Sequence, residues 1–281
     1  MALDSKKLER QKVVLVTGCS KGGIGFNLCE RFAGQGCIVY ATARRLETMD
    51  DFSDPTIHKL VLDVTNESNI QDVVKTILDD TGRIDVLVNN AGGISIGPLL
   101  DVSMDQARKT FEVNTYAPLQ VAKAVLPSMV ERRSGLVVNI GSVVGEIPTP
   151  WNGLYCASKA ALHSISDVLA MECGPFNVKV MLVAPGGVKS NISSNQAATY
   201  NMPLDSLYKP YIDKIIARMN ISQSKGALDT DEFAKTVVSK ILSPSPPTYY
   251  SLGKNTVRIS FLKWLPRALA LWLTWRSIGK I

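Results

Sequence analysis

The sequence predicts an α/β fold, a doubly wound parallel sheet in a single domain. Three observations carry that expectation. Short apolar runs rich in β-branched residues recur along the chain, as strands buried on both faces of a parallel sheet require. Amphipathic stretches of helical length separate them, so right-handed strand–helix–strand crossovers are the natural connection. A glycine-rich turn joins the first run to the first helical stretch. The 281 residues can bury a full core. A content of 46% hydrophobic and 20% charged residues is that of a globular chain.

Residues 1–12 read as a polar lead-in. Val13–Val16 is a continuous β-branched run, followed by Thr17-Gly18-Cys19-Ser20-Lys21-Gly22-Gly23-Ile24-Gly25 and a helix over Phe26–Ala33. Strand, glycine turn and helix form the context of a Rossmann-type dinucleotide site. The glycines let backbone amides approach a pyrophosphate, and the helix N-terminus adds partial positive charge. The second strand, Cys37–Thr42, runs into Ala43-Arg44-Arg45. An acidic residue here would hold a ribose 2′-hydroxyl. Arginine instead suits a 2′-phosphate, which favours NADPH, with Arg44 as its partner and Lys21 as a second.

Lys59–Leu62 reads as a third strand ending at Asp63-Val64, and Asn66–Leu78 as a helix capped at Thr65 or Asn66. Val86–Val88 is a fourth strand that ends in Asn89-Asn90-Ala91-Gly92, small and amide residues suited to a ligand crevice. Met104–Val130 is helical with a break near Pro118 and carries Asn114. Leu136–Ile140 is the fifth strand, Leu154–Cys173 a helix, and Val178–Val183 the sixth strand, which is left by Pro185-Gly186-Gly187-Val188. Residues 190–225 break the rhythm with Pro203, Pro210 and several tyrosines, and are expected to form a mobile lid of short helices. A helix over Thr230–Leu242, capped at Asp229 or Thr230, and a last strand at Tyr249–Leu252 complete a domain of residues 1–255.

The reactive cluster is Tyr155-Cys156-Ala157-Ser158-Lys159, preceded thirteen positions earlier by Ser142. Tyrosine and lysine four apart share a helix face, and an ammonium beside a phenol favours the phenolate. With the serine they can move a proton on or off an alcohol or carbonyl oxygen. His58 and His163 show no obvious partners, so a histidine triad is not expected. Five cysteines without a CxxC pair argue for free thiols in a reducing compartment rather than disulfides or zinc. The N-terminus lacks the charged-then-apolar order of a signal peptide.

The net charge of +6 is uneven: from Phe233 onward there are eight Lys/Arg and no acid, which leaves 23 bases against 25 acids before it. Nucleic-acid binding by the body is therefore not expected. Residues 256–281 carry five basic residues and Trp264, Trp272 and Trp275. Arg267 and Arg276 bracket only eight residues, too few to cross a bilayer. A basic amphipathic helix resting on an anionic membrane is expected, with packing on the enzyme body or a partner copy as the alternative.

Together these motifs resemble the short-chain dehydrogenase/reductase family over nearly all of residues 12–252. The resemblance rests on the glycine loop, Asp63-Val64, Asn89-Asn90-Ala91-Gly92, Asn114, Ser142, Tyr155-x-x-x-Lys159 and Pro185-Gly186. It implies that Tyr155 is the general acid or base, that Ser142 orients the carbonyl, and that Lys159 tunes the phenol and holds the nicotinamide ribose. It implies that Asn114 fixes a water in the proton relay. It places Gly18, Ser20, Lys21, Ile24, Arg44, Asp63, Val64, Asn90, Ala91, Lys123, Tyr155, Lys159, Pro185, Gly186 and Val188 around NADP(H). The loop is one residue longer than the family's usual eight, so Gly22 or Gly23 must bulge. Within the family the loop and Ala41-Thr42-Ala43-Arg44-Arg45 look like the NADPH-dependent 1-acyldihydroxyacetone phosphate reductases. A lipophilic substrate, a homo-oligomer, and a place in the cytosol or on the cytosolic face of the endoplasmic reticulum or lipid droplets follow as expectations. A dehydrogenase of steroids or other hydrophobic alcohols is the alternative enzyme, and a catalytically dead cofactor-sensing scaffold the remote one.

Overall fold

The computed structural model describes residues 11–191 and 200–279. The lead-in over 1–10, part of the lid at 192–199, and the last two residues lie outside the described residues. Seven strands form one parallel sheet: β1 (Val13–Thr17), β2 (Ile38–Ala43), β3 (His58–Val61), β4 (Val86–Asn89), β5 (Gly135–Ile140), β6 (Val178–Pro185) and β7 (Tyr249–Leu252). Their order is β3-β2-β1-β4-β5-β6-β7. The direction of winding switches between β1 and β4, and a crevice opens there at the strands' carboxyl ends.

Alternate residues of each strand enter two separate cores, which is why the strands read as unbroken apolar runs. Val14, Val16, Val39 and Val88 meet Leu28 and Phe32 of α1 (Ile24–Ala33) and Phe233 and Val237 of α7 (Thr230–Ile241). Leu15, Tyr40, Leu87 and Val137 meet Ile70 and Val74 of α2 (Glu67–Thr81) and Val121 and Val125 of α4 (Ala117–Glu131). Asn66 caps α2 by accepting the Asn69 N–H, and Asp229 caps α7 by accepting that of Asp231. At the amino ends of the central strands, away from the crevice, Asp85 accepts the Val13 N–H at 2.8 Å and pairs with Arg83 and Arg132.

The expected helix over Met104–Val130 is two helices, α3 (Met104–Phe111) and α4, joined by a π-turn over Glu112–Tyr116. The Ala117 N–H reaches the Glu112 carbonyl five residues back. Pro118 has no N–H to continue the four-residue ladder, so the chain widens before it. Asn114 sits in this widened turn. The helix that carries Tyr155 and Lys159 is α5 (Gly153–Cys173). In the expected lid the main helix is α6 (Ile212–Met219), flanked by single 3₁₀ turns. It packs Ile215 and Met219 on Ile96 and Trp151.

The tail departs from the single amphipathic helix expected of it. Pro266 divides it into α8 (Thr256–Lys263) and α9 (Arg267–Thr274), followed by a π-turn over Trp275–Gly279. Polar and apolar positions therefore do not sort onto the two faces of one helix: Lys263 is half-exposed while Thr274 is buried. One face packs on the body, with Ile259, Leu262 and Ala270 against Val143, Val144, Ile147 and Tyr155. Trp275 lies 5.8 Å from Trp151, centroid to centroid. The other face leaves Val257, Phe261 and Trp264 exposed, Trp264 at 89%.

Glu146 clamps tail to body, with Lys263 Nζ on Oε2 at 2.6 Å and His163 Nδ1 beside Oε1 at 3.3 Å. The His163 contact first, and the Lys263 contact with it, hold the Glu146 carboxyl down at about 2 against the opposing effect of burial. A carboxylate depressed in the folded state stabilises above its unfolded value near 4.5, and that contribution is lost as pH falls towards about 2. Glu146→Gln is therefore expected to cost about 1–2 kcal/mol near neutral pH, the full shift being reduced by solvent screening of the partly exposed Lys263 pair. Urea unfolding of both proteins should show the gap closing between pH 4.5 and about 2; a gap that is constant with pH would contradict the clamp.

Candidate active site

A cavity of about 1450 Å³ runs along the carboxyl ends of the strands. Gly18, Ser20, Lys21, Ile24, Arg44, Asp63, Val64, Asn90, Ala91, Asn114, Ser142, Tyr155, Lys159, Pro185, Gly186 and Val188 all line it. Lys123 is the exception and a correction to the sequence reading. It is exposed on the outer face of α4, whose inner face carries Val121, Ala122 and Val125 into the core.

Thr17–Gly25 forms the floor of one end. Gly18 has φ +74°, and a Cβ there would stand 2.7 Å from the Ala91 Cα. A Cβ on Gly25 would stand 2.5 Å from both Asn90 Nδ2 and the Gly18 carbonyl oxygen. The extra residue of the loop is absorbed in a tight turn, closed by the Gly23 N–H donating to Ser20 O at 3.1 Å, with Gly22 at φ +76°. Asn90 props the loop from below: its Nδ2 donates to the Thr17 and Gly18 carbonyls, both at 2.9 Å. Thr17 Oγ1 accepts the N–H groups of Asn90 and Ala91, both at 3.0 Å. This bare backbone floor ends at the N-terminus of α1, an arrangement that fits the pyrophosphate of a dinucleotide.

Beyond the loop, Arg44 is exposed at the cavity wall and forms no salt bridge among the described residues. Lys21 instead pairs with exposed Asp51 at 2.5 Å, so any phosphate must compete for its ammonium. The Asp63 carboxyl is lowered by the Thr65 N–H at 2.9 Å, then by the Thr65 hydroxyl at 2.7 Å, with a smaller effect from the charge of Arg44. Asp63 therefore faces the cavity as a carboxylate fixed in orientation.

The reactive end is built by α5, the π-turn and the ends of β4 and β5. Asn114 is fully buried. Its Nδ2 donates to Gly93 O at 2.8 Å and Ser158 Oγ at 3.0 Å, and its Oδ1 accepts the Gly93 N–H at 2.8 Å. The side chain thus welds the π-turn to the exit of β4 and to α5. The Thr115 hydroxyl adds a bond to the Ser158 carbonyl at 3.0 Å. Lys159, 4% exposed, donates from Nζ to the Ile140 carbonyl at 2.8 Å. Its ammonium is 5.9 Å from the centroid of the Tyr155 ring. The Ser142 N–H donates to His163 Nε2 at 3.3 Å, which steadies the serine.

Burial bears on both reactive groups. Burial pushes the Tyr155 phenol up to about 12, and the Ser142 hydroxyl and the charge of Arg218 only partly offset it. Burial also pulls the Lys159 ammonium down to about 8. Burial thus acts on Tyr155 in the direction opposite to acidification, with the Lys159 ammonium 5.9 Å from the centroid of its ring. A protonated phenol beside a serine hydroxyl is a proton donor for an oxygen that gains negative charge.

Sequence reasoning missed three contributors. His163 is partnered, by Ser142 and Glu146, through contacts that span loops and left no spacing pattern. Ile259, Leu262, Thr274 and Ile278 make the tail a wall of the cavity. Arg218 of α6 enters the cavity from the segment expected to form a lid, whose composition singled out no residue.

A model of the short chain dehydrogenase family matches residues 12–201. Short-chain dehydrogenase ptmH of Penicillium ochrochloron is 40% identical over 235 residues, 83% of this chain and 85% of that protein. The NADPH-dependent 1-acyldihydroxyacetone phosphate reductase of Schizosaccharomyces pombe is 34% identical over 255 residues, 89% of this chain and 84% of that one. A short-chain dehydrogenase structure from Streptomyces avermitilis superposes with a TM-score of 0.80 at 31% identity, covering 96% of this chain and 98% of that chain. With the sheet order, the glycine loop and the Ser142–Tyr155–Lys159 cluster all in place, the chain belongs to the short-chain dehydrogenase family.

Proposed function

We propose that this chain is an NADPH-dependent reductase of a lipophilic ketone, with 1-acyldihydroxyacetone phosphate as substrate and 1-acylglycerol 3-phosphate as product. The observation that carries the reading is the half-buried Tyr155 beside Ser142 and Lys159 in a cavity that also holds the glycine loop and Arg44. The similarity to the fission-yeast 1-acyldihydroxyacetone phosphate reductase supports the substrate.

NADPH, when bound, supplies the hydride that reduces the ketone carbon. The glycine loop and the N-terminus of α1 hold its pyrophosphate, and Arg44 takes the 2′-phosphate, where an NAD-binding enzyme would carry an acid. Ile24, Asp63, Val64, Ala91, Pro185, Gly186 and Val188 enclose the cofactor, while Asn90 acts by bracing the loop. Lys159 holds the nicotinamide ribose. Ser142 donates a hydrogen bond to the substrate carbonyl, and Tyr155 gives its phenolic proton to the oxygen as the alcohol forms. Asn114, its amide fully engaged, keeps α5 and the π-turn in register for the proton's replacement through water.

The tail supports a peripheral membrane role. Among the described residues no helix is long and apolar enough to cross a membrane. Phe261, Trp264 and Trp272 are exposed beside Lys263, Arg267 and Arg276, the pattern of an interfacial anchor. Such a tail would rest the cavity wall on the cytosolic face of the endoplasmic reticulum or of lipid droplets, where an acylated ketone resides. A homo-oligomer paired through α4 and α5 is in keeping with exposed Tyr116 in the turn that leads into α4 and exposed Val168 and Met171 on α5.

NADPH oxidation assayed with acyldihydroxyacetone phosphate and a panel of bulky ketones and sterols, with and without anionic vesicles, tests the reading. Turnover of the acylated ketone phosphate above the others, enhanced by vesicles, is expected; preference for a sterol would overturn the substrate assignment. Tyr155→Phe should abolish turnover and leave NADPH binding nearly unchanged, as read by nucleotide fluorescence; loss of binding in a folded variant would contradict the division of roles. Arg44→Ala should raise the KM for NADPH about tenfold or more and that for NADH little; equal effects on both would remove the phosphate assignment.

A further inference from the structure

Arg218 is a cation placed in the reactive end of the cavity without a counter-charge. It is the seventh residue of α6 and reaches in beneath that helix. Its Nε and Nη2 donate to the Thr149 hydroxyl at 3.3 and 3.2 Å. The Asn152 amide, with its oxygen turned to the guanidinium, accepts from Nη2 at 2.7 Å. Among the described residues no carboxylate lies within ion-pair distance of it. The titratable groups that act on its charge are Tyr155 and Cys156, both neutral at ordinary pH.

Two sheltered charges outside the cavity meet opposite ones, whereas Lys159 within it shares the isolation of Arg218. Asp85 has two arginines, and Glu146 has a lysine and a histidine. Removing a guanidinium from water with only two neutral acceptors is costly, and an incoming anion would recover that cost. Thr149 and Asn152 can accept only part of the five-donor fork, and the remaining N–H groups suit a planar or tetrahedral oxyanion. The surrounding lining from Ile221, Ile259, Leu262 and Ile278 is apolar and would strengthen such a pair.

We propose that Arg218 is the substrate's anion clamp: it binds a phosphomonoester or carboxylate that the ketone carries near the carbonyl held by Ser142 and Tyr155. The proposal deepens the reading of the substrate given above, on which its phosphate form rests. Arg218 is then a specificity-determining residue, and its position on α6 couples capture of the anion to the segment that covers the cavity. The rival role is a strut that ties α6 to the Thr149–Asn152 turn ahead of α5 and senses no substrate charge.

Steady-state kinetics of the full chain with NADPH separates the two. Two matched pairs of ketones are compared: acyldihydroxyacetone phosphate with its dephosphorylated counterpart, and a long-chain 3-oxo acid with its methyl ester. Wild type should prefer the charged member of a pair. Arg218→Met should lower kcat/KM for that member about 10- to 100-fold, chiefly through KM, and change the neutral member less than about threefold. Arg218→Lys should restore part of the loss. Equal losses on charged and neutral ketones, or no preference for charge in wild type, overturn the clamp in favour of the strut. Preference for the oxo acid over its ester, erased in Arg218→Met, with no turnover of the acylated ketone phosphate, would sustain the clamp and overturn the substrate reading. Turnover of neither pair would overturn both.

Discussion

The site depends on one buried contact, the Lys159 ammonium donating to the Ile140 carbonyl at the end of β5. A helix and a strand that end at the same crevice could slide past one another. This bond, with the Asn114–Ser158 and Thr115–Ser158 bonds, fixes α5 against the sheet and sets where Tyr155 stands. It also places a cation in an almost dry pocket, where burial lowers it to about 8 and raises the phenol beside it to about 12. The same desolvation thus prepares two groups at once: an ammonium that seeks oxygen ligands, and a phenol that keeps its proton until an oxygen with developing charge requires it.

A wider pattern follows from the charge distribution in the cavity. Arg44 at one end and Lys159 and Arg218 at the other form no ion pairs among the described residues, while Lys21 at the rim is already paired with Asp51. An unpaired cation on a surface means little, but several converging on one cavity create a field that favours anionic ligands. The polar excursion and the tail complete this enclosure from opposite sides. Trp151, Tyr211 and Trp275 pack together where the two segments meet, so the covering segments share a hydrophobic joint.

All seven strands and the glycine loop were legible in the sequence, because burial on both faces writes apolar runs and a tight phosphate turn demands glycine. The Tyr155–Lys159 spacing was legible for the same reason: both residues lie on one helix and their geometry is local. What escaped were relations between distant segments. Lys123 was placed at the cofactor by resemblance, but the face of α4 that packs in the core turns it to solvent. The tail read as one helix from its basic residues and tryptophans, yet Pro266 cuts it, and its apolar positions pack on Val143 and Val144. Arg218, His163 and Glu146 gain their meaning only from neighbours that loops deliver. At Tyr155 the sequence displayed the nearby cation but not the burial that opposes its effect.

The most direct test of this account is a spectrophotometric titration of tyrosinate in the wild-type protein and in Tyr155→Phe, taken as a difference. The account predicts no Tyr155-dependent ionisation between about pH 6 and about pH 10, since burial holds this phenol above the ordinary tyrosine range. A step of one tyrosine near neutral pH, present in wild type and missing in the variant, would show that Lys159 acidifies the phenol after all and would contradict it.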